Sequence, residues 1–371
     1  MTQSRRRVNL ADLCRARQLD AMLVSDLDNV RYLSGFTGSN AALLVYADDR
    51  GAVLATDGRY RTQAAAQAPD LETVITRSLG AALARRAADD GAGALGFESH
   101  VMTVDAHAAL SDVLADLPGL RLVRACGLVE ALREIKDDGE IALLRRACVV
   151  ADIALSALIE RGGLRPGRTE REVRNDLEAL MLAGGADGPS FETIVATGVN
   201  SAVPHHRPTG ATLAAGDFVK IDFGARVGGY HSDMTRTFVL GRAADWQREI
   251  YALVADAQRA GRHALKPAAM LADIDAAARE VIAAAGYAEY FGHGLGHGVG
   301  LHIHEAPGIN ATATGTLPAG AAVTVEPGVY LPGRGGVRIE DTLIVAGDTS
   351  GAGDEQPPEL LTRFPKELTI L

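Results

Sequence analysis

The chain has 371 residues, of which 47% are hydrophobic and 23% are charged. It is longer than one hydrophobic core usually accommodates, so we expect two folded domains. Its 37 basic and 47 acidic side chains give a formal net charge of -10, which argues against a general nucleic-acid-binding protein, because phosphate contacts require a basic face.

Two features of the sequence indicate a cytoplasmic location. No apolar stretch is long enough for a transmembrane helix, and charged side chains within residues 12–17 interrupt any signal-peptide core. The cysteines are Cys14, Cys126 and Cys148, and they show no paired motif, so we expect buried, reduced thiols. The sequence therefore predicts a cytoplasmic protein with neither a membrane nor a nucleic acid as partner.

The first part of the chain, from residue 20 to about residue 127, alternates short apolar runs with helical patterns. This alternation predicts an α/β domain, which we place at residues 1–130. The glycine-punctuated segments 31–40 and 56–60 are interpreted as ordinary turns. Strands are predicted at residues 21–25, 41–46, 51–56, 71–75, 95–97 and 121–123, and helices at residues 59–67, 79–88 and 104–114.

A charged break at residues 133–140 precedes a change to helical composition, so the second domain is placed at residues 131–371. Thr169 and Glu172 form a capping-box pattern, which predicts the start of a helix. Helices around an antiparallel sheet would give this domain an α+β fold. Helices are predicted at residues 141–159, 169–182, 245–258 and 274–284, and a strand at residues 191–197.

An acidic hairpin pattern occurs twice in the second domain. Segments 213–224 and 317–328 align without a gap, and so do segments 228–235 and 335–342. Each copy consists of an apolar, β-branched run, a glycine-rich turn and a second such run, which is typical of a β-hairpin. The equivalent acids are Asp222 and Asp233 in the first copy, and Glu326 and Glu340 in the second.

The spacing of these acids predicts that each pair is brought together. Residues equidistant from the centre of a hairpin face each other, and we place the first centre at the bond between Val227 and Gly228 and the second at Gly333. Carboxylates opposed on adjacent strands repel each other and destabilise the sheet unless something neutralises them. A shared cation is the simplest neutraliser.

Histidines lie between and just before the two hairpins, which favours a metal site that combines carboxylate and imidazole. His293 and His297 have the spacing of a zinc-protease helix, but the surrounding glycines predict an extended segment instead. Dinucleotide-binding and serine-nucleophile motifs are absent from the sequence. An oxygen-rich donor set suits Mn²⁺, Co²⁺ or Zn²⁺, and two ions about 3.5–4 Å apart can activate a shared water at neutral pH.

These motifs resemble those of the Xaa-Pro peptidases, prolidase and aminopeptidase P, within the pita-bread family that includes methionine aminopeptidase. The amino-terminal segments 29–38 and 57–60 are similar to the creatinase-like domain of the same group. The resemblance implies an α/β creatinase-like domain followed by an α+β pita-bread catalytic domain. The segments that carry it in the second domain are 219–225, 231–236, 293–297, 303–305, 325–328 and 337–341.

The resemblance also implies a set of metal ligands. Asp222 would bind one ion, Asp233 and Glu340 would bridge two ions, and His297 with Glu326 would complete the second site. Glu326 would in addition take up and return the proton of the bridging water. Manganese is favoured over cobalt and zinc.

Four further residues acquire roles from the same resemblance. His205 would hold the substrate and the leaving nitrogen, His304 would stabilise the oxyanion, and His293 would lie near the substrate pocket. Arg338 shares a strand face with Glu340, so it would orient that carboxylate or meet a substrate carboxylate. Structural roles are expected for His206, His302, Tyr230, His231 and Tyr330.

The expected activity is hydrolysis of the Xaa-Pro bond in small peptides by a dinuclear metallopeptidase. A dipeptidase is preferred, with Arg338 or Arg334 pairing with the free carboxylate, and an aminopeptidase acting on longer peptides is the alternative. A metal-free binding protein and a metal-free creatinase-like hydrolase are less favoured, because such relatives normally lose several of the five ligands. Family resemblance also implies a homodimer in which segment 31–40 approaches the neighbouring pocket.

Overall fold

The computed structural model describes residues 1–347 and 356–371, and these divide into two compact units, Met1–Arg133 and Glu134–Leu371. In the described part of the chain, no helix combines the length and the apolar character that crossing a membrane requires. Cys14 and Cys148 are buried as expected, whereas Cys126 is exposed, so the expectation of burial is wrong for that thiol.

The first unit is built on one six-stranded mixed sheet. Its strand order is β4-β3-β2-β1-β5-β6, and β1 pairs antiparallel with β2 and parallel with β5. The strands are β1 (Ala21–Val24), β2 (Ala41–Tyr46), β3 (Ala52–Thr56), β4 (Glu72–Ile75), β5 (Ala94–Phe97) and β6 (Arg121–Arg124). The helices are α1 (Gln3–Ala16), α2 (Leu27–Ser34), α3 (Arg61–Gln67), α4 (Leu79–Asp89), α5 (Val104–Ala115) and α6 (Leu128–Arg133).

The predicted strands and helices of this unit are confirmed, but three helices, α1, α2 and α6, were not expected. Segment 31–40 is not a turn throughout, because its first residues form the end of α2, which stops at Gly35 with a left-handed φ of 79°. The preceding helix α1 presents Arg6 and Arg7 to the last carbonyl groups of α2, at 3.1 Å from Tyr32 O and 2.9 Å from Leu33 O. Composition alone does not indicate that Arg6 and Arg7 are buried and bind the end of a helix.

Among its described residues, the second unit contains four α-helices that pack against its strands in two groups. Capping boxes at Asp137 with Glu140 and at Thr169 with Glu172 begin the first two helices, the latter as predicted. The helices are α7 (Asp138–Glu160), α8 (Glu170–Ala183), α9 (Asp245–Ala264) and α10 (Leu271–Ala284).

The strands of the second unit form separate small sheets. Their orders are β12-β9-β8, β11-β10-β7, β14-β13-β15-β18-β19 and β16-β17. The first-half strands are β7 (Gly188–Pro189), β8 (Ile194–Thr197), β9 (Phe218–Phe223), β10 (Ala225–Val227), β11 (Tyr230–His231) and β12 (Met234–Val239). The remaining strands are β13 (Gly296–Gly298), β14 (Glu305–Ile309), β15 (Ala322–Val325), β16 (Gly328–Leu331), β17 (Gly335–Arg338), β18 (Asp341–Ile344) and β19 (Glu359–Leu360).

The duplication seen in the sequence is visible in the packing. One apolar core joins α7 and α8 to β8, β9 and β12, and another joins α9 and α10 to β15, β17 and β18. Each half therefore combines a helix pair with a hairpin. The acidic side chains of the two hairpins are not part of either apolar core, and they line one cavity.

The register of the first hairpin differs from the prediction. Val227 pairs with Tyr230, so the centre lies between Gly228 and Gly229, and Asp222 faces Thr235 instead of Asp233. Asp233 is two residues away from Thr235 and therefore points to the same side as Asp222, on a diagonal.

The second hairpin has the predicted centre. Leu331 pairs with Gly335, so that Gly333 is the midpoint, and Glu326 and Glu340 are equidistant from it. These two acids lie between the ladder pairs of β15 with β18 and of β16 with β17.

Candidate metal centre

One cavity of the second unit gathers the acids and histidines singled out in the sequence. Its volume is about 440 Å³. Both hairpins and the segments before β9 and around β13 contribute to its wall. The polar lining residues are Glu192, His205, His206, Arg207, Asp222, Asp233, His293, His297, His304, Glu326, Arg338 and Glu340.

Three groups in this cavity lie close enough to share an ion. One donor atom each from Asp233, His297 and Glu340 falls within a mutual distance of 4.8 Å. His297 Nε2 lies 3.5 Å from Asp233 Oδ2 and 3.3 Å from Glu326 Oε1. Carboxylates from both hairpins therefore meet around one imidazole.

The acids are withdrawn from water. Asp222, Asp233 and Glu340 are only 8%, 4% and 1% exposed, while the side chain of Glu326 keeps 17%. Burial, followed by repulsion from the neighbouring carboxylates, raises the pKa of both Asp233 and Glu340 well above the ordinary values. Burial also raises the pKa of Glu326, with the charge of Asp222 adding to the effect.

Asp222 has an oxygen that the protein leaves unsatisfied. Its Oδ2 accepts a hydrogen bond from Arg338 Nη2 at 2.5 Å, but its Oδ1 is buried and has no hydrogen-bond partner among the described residues. An unpaired buried carboxylate oxygen is costly, and such an atom fits a cation ligand.

The two hairpins brace each other's carboxylates. Arg338 of the second hairpin binds Asp222 of the first, and its Nε donates to Thr235 Oγ1 at 2.9 Å. Thr235 of the first hairpin donates in turn to Glu340 Oε2 of the second at 2.7 Å. Arg338 thus orients Asp222 directly and reaches Glu340 only through Thr235.

His297 is oriented for ligation by its own backbone. It lies in the extended strand β13, as the glycine pattern predicted, and its Nδ1 is 2.9 Å from Gly298 O. When Nδ1 donates that hydrogen bond, the lone pair of Nε2 faces the carboxylates. The ring of His304 packs edge-on against it with ring centroids 4.4 Å apart.

His293 is held in a different way. Its Nδ1 is 2.8 Å from Gly294 O and its Nε2 is 2.9 Å from the hydroxyl of Tyr330, which also accepts from Arg338 Nη1 at 2.7 Å. Burial lowers the pKa of His293 to about 4, so its ring is neutral at pH 7. Tyr330 is therefore a polar member of the site and not only a packing residue as expected.

Two arginines are placed differently from the expectation that they meet a substrate carboxylate. The side chain of Arg338 is 3% exposed and is committed to Asp222, Thr235 and Tyr330. The guanidinium of Arg334 lies 4.2 Å above the ring of Trp246, and Arg334 is not among the residues that line the cavity.

Sequence reasoning missed Thr235, the polar role of Tyr330, and the apolar wall formed by Phe191, Ile194 and Ile303. A signal was present for Thr235, because a residue two positions after Asp233 points to the same side of a strand. His206 is anchored to Glu170 at 2.8 Å, in agreement with its expected structural role.

The donor set is chemically suited to divalent cations. Asp222, Asp233, Glu326 and Glu340 offer carboxylate oxygens, and His297 offers an imidazole nitrogen. None of these five side chains is a thiolate, and Asp222 Oδ1 is a buried oxygen without a hydrogen-bond partner among the described residues. Oxygen-rich sites of this kind favour hard or borderline divalent ions.

Comparison with known proteins agrees with this geometry. Residues 142–346 match metallopeptidase family M24, and residues 6–135 match the creatinase/prolidase N-terminal domain. The uncharacterized peptidase YqhT of Bacillus subtilis (strain 168) is 41% identical over 357 residues, which cover 95% of this chain and 96% of that protein.

Two solved structures are similar along the whole chain. The Xaa-Pro dipeptidase from Bacillus anthracis has a TM-score of 0.92 at 38% identity and covers 100% of both chains. The X-Pro aminopeptidase from Thermotoga maritima MSB8 has a TM-score of 0.88 at 31% identity, covering 100% of this chain and 99% of that one. The predicted fold class is confirmed: the chain belongs to metallopeptidase family M24 and is a peptidase with a creatinase-type N-terminal domain and a pita-bread catalytic domain.

Proposed function

We propose that this protein hydrolyses the bond between an N-terminal residue and proline with the help of two divalent metal ions. The observation that carries the proposal is that four largely buried carboxylates and His297 line one cavity, with three of the carboxylates close to the His297 ring. The specificity for proline rests on the names of the Bacillus anthracis and Thermotoga maritima relatives. The Xaa-Pro bond lacks an amide hydrogen, which is a reason for a dedicated site.

The five ligands are assigned as the resemblance implied. Asp222 would hold the first ion through the oxygen that has no hydrogen-bond partner among the described residues, and His297 with Glu326 would hold the second. Asp233 and Glu340 would be shared by both ions. Support comes from the charge balance, because two divalent ions neutralise four carboxylates that otherwise repel one another.

Two divalent ions bound there would supply Lewis-acid chemistry, activating the scissile carbonyl and a water at neutral pH. Glu326 would take up the proton of that water and return it to the leaving nitrogen. Thr324 Oγ1 lies 3.2 Å from Glu326 Oε1 and steadies the carboxylate in that position.

The histidines around the ions handle the substrate. Burial, with the charges of His297 and His205, lowers the pKa of His304, so its ring is neutral at pH 7 and offers an N–H group to the developing oxyanion. His205 holds the substrate near the leaving nitrogen. His293 forms part of the pocket wall beside it.

The preferred substrate is an Xaa-Pro dipeptide, and an aminopeptidase acting on longer peptides is the second candidate. The first is favoured by the higher identity to the Bacillus anthracis dipeptidase, 38% against 31% for the Thermotoga maritima aminopeptidase. Because Arg338 and Arg334 are both engaged elsewhere, neither supports this preference.

Further assignments complete the proposal. Manganese is favoured because the donor set is oxygen-rich and has no thiolate. The protein acts as a cytoplasmic homodimer, and its catalytic domain comprises residues 131–371, with residues 1–130 as the accompanying domain.

The test is removal and restoration of metal. Protein stripped with a chelator is expected to lose cleavage of Ala-Pro, and Mn²⁺, Co²⁺ or Zn²⁺ added singly should restore it, Mn²⁺ best. Ala-Pro-Ala should be cleaved more slowly than Ala-Pro. Equal turnover of both would remove the preference for dipeptides, and full activity of metal-free protein would contradict the metal mechanism.

A further inference from the structure

The segment that carries His205 is fastened on both sides by buried charged side chains. It runs from Thr197 to Thr209 between β8 and β9, and His205 lines the cavity near its middle. A 3-10 helix occupies Gly198–Ala202, but residues 203–209 lack regular secondary structure, so the course of the chain around His205 depends on individual hydrogen bonds.

Lys220 fastens the residues that precede His205. It lies on β9, two residues before Asp222, and is 0% exposed. Its Nζ donates to Val203 O at 2.7 Å and to Pro204 O at 3.4 Å. Its Nζ also lies 4.9 Å from the ring centroid of Tyr330. Burial, followed by the charge of Arg338, lowers the pKa of Lys220 well below its usual value.

The position of Lys220 couples the segment to the metal-binding strand. Side chains two residues apart on a strand point to the same side, so Lys220 and Asp222 leave β9 together. Arg338 Nη1, whose guanidinium binds Asp222, also donates to Pro204 O at 3.3 Å. The backbone before His205 is thus held by Lys220 and by Arg338, which also binds Asp222.

Glu170 fastens the residues that follow His205. Its side chain is 0% exposed, and its Oε2 receives His206 Nε2 together with the backbone N–H and the hydroxyl of Thr209, all at 2.8 Å. Its Oε1 receives Thr197 N at 3.0 Å and Asn200 Nδ2 at 2.9 Å. One carboxylate at the start of α8 therefore holds both ends of the segment.

His205 itself lies between these two anchors. No described residue hydrogen-bonds to its ring, and the residue is exposed to the cavity. Its location is therefore determined by the backbone that Lys220 holds at Pro204 and by the adjacent His206 that Glu170 holds.

We propose that Lys220 and Glu170 are positioning residues that hold His205 against the metal-binding cavity, an inference that rests on the proposed function of His205. Neither residue lines the cavity, so both act through the segment between them. Displacement of a substrate-positioning group by about 1 Å can reduce the rate by as much as about 10²-fold.

A double-mutant cycle on the Mn²⁺-loaded enzyme tests this inference. Lys220→Met keeps the length of the side chain but removes the donor, and it should lower kcat/KM for Ala-Pro toward the value of His205→Ala while the bound metal is unchanged. Adding Lys220→Met to His205→Ala should cause little further loss, because both changes remove the same contribution. Lys266→Met, at an exposed lysine beyond α9, is the matched control and should leave kcat/KM unaltered.

His206→Gln supplies a second route if Lys220→Met does not fold. It weakens the Glu170 anchor and should likewise be non-additive with His205→Ala. Losses that multiply in the double variants, or single variants with wild-type kcat/KM, would overturn the inference.

A crystal structure of Lys220→Met separates this inference from the proposed function. Segment 203–206 is expected to shift while β9 and the acidic side chains stay in place. His205 found at its wild-type position would overturn the positioning role alone. A wild-type enzyme that fails to cleave Ala-Pro would overturn the proposed function alone.

Discussion

The two hairpins of the second unit share a sequence pattern but differ in how their acids are arranged. In the second, Glu326 and Glu340 are equidistant from the midpoint of the loop, whereas in the first Asp222 faces Thr235 and Asp233 lies on the diagonal. Direct opposition of two acids within one hairpin is therefore not what creates the site. The acids are brought together by contacts between the hairpins.

Those contacts are reciprocal. The first hairpin supports the second through Thr235, which binds Glu340, and through Arg236 Nη2, which pairs with Asp341 Oδ1 at 2.9 Å. The second supports the first through Arg338, which binds Asp222, and through Thr342 Oγ1, which donates to the backbone carbonyl of Asp233 at 2.8 Å. Loss of the contacts that one hairpin donates should therefore disturb the other hairpin.

The largest effect is expected from Glu340→Gln, which removes the carboxylate that we propose to bridge the two ions and keeps the shape of the side chain. Loss of a residue that only hydrogen-bonds to a metal ligand reduces activity by up to about 10²-fold. Because Glu340 is proposed to be a ligand itself, activity on Ala-Pro should fall by more than that, and the bound metal should fall below two ions per chain. Elemental analysis and steady-state kinetics check both. Glu249→Gln, at an exposed position of α9, is the control. Two retained ions with full activity would show that Glu340 does not bridge.

Arg338→Met breaks the support that the second hairpin gives to the first. It leaves Asp222 buried without its cationic partner, so the free energy of unfolding should fall by about 3–5 kcal/mol. Urea denaturation of the metal-free protein measures this loss. Arg334→Met on the same hairpin removes only an exposed cation–π contact with Trp246 and should cost about 0.5–1 kcal/mol. Equal losses in the two variants would contradict the reciprocal support.

Thr235→Val tests the opposite direction, from the first hairpin to the second. The change keeps the shape of a side chain that is 0% exposed but leaves Glu340 Oε2 and Arg338 Nε without this partner. Metal affinity should fall by about 10–100-fold, and stability by about 1–3 kcal/mol. Thr235→Ser retains the hydroxyl and should retain most of the affinity. Titration with Mn²⁺ compares the two, and matching affinities would rule out a role for the hydroxyl.

The last prediction is a pH dependence of the metal-free protein. Because burial and mutual repulsion raise the pKa of Asp233 and Glu340, these acids bind more protons in the folded state than in the unfolded state. Stability is then highest below their ordinary pKa of about 4 and falls as pH rises, by at most about 1.4 kcal/mol per pH unit for each proton.

Unfolding in urea between about pH 5 and about pH 8 measures this slope. Glu340→Gln should have a shallower slope than the wild type, since it lacks one of the titrating groups and its repulsion of Asp233. Bound metal should reverse the trend in the wild type. A metal-free wild type whose stability increases steadily over that range would contradict the raised pKa values.

The difference between the hairpins also explains what the sequence could predict. Both registers depend on the length of the turn. Gly228 and Gly229, with φ of 56° and 81°, form a two-residue turn, whereas Pro332, Gly333 and Arg334 form a three-residue loop. The prediction took the two acids of each pair as equidistant from the turn, so the first centre was misplaced by one residue while the second was correct.

Partners from distant parts of the chain were the least predictable. The acids could be recognised because the duplication marked them as a set. Nothing in the local sequence indicates that Arg338 reaches Asp222 instead of Glu340, or that Tyr330 links Arg338 to His293. Such contacts depend on how two separately specified hairpins pack, and pattern and propensity describe only the hairpins themselves.

The most direct test of the central claim is a metal titration that follows ion content and Ala-Pro cleavage in the same sample. The two hairpins together are expected to bind two Mn²⁺ ions per chain, and activity should rise with their occupancy from zero in the chelated protein. Full cleavage by protein without bound metal, or saturation with two ions in a variant that lacks both Asp233 and Glu340, would contradict it.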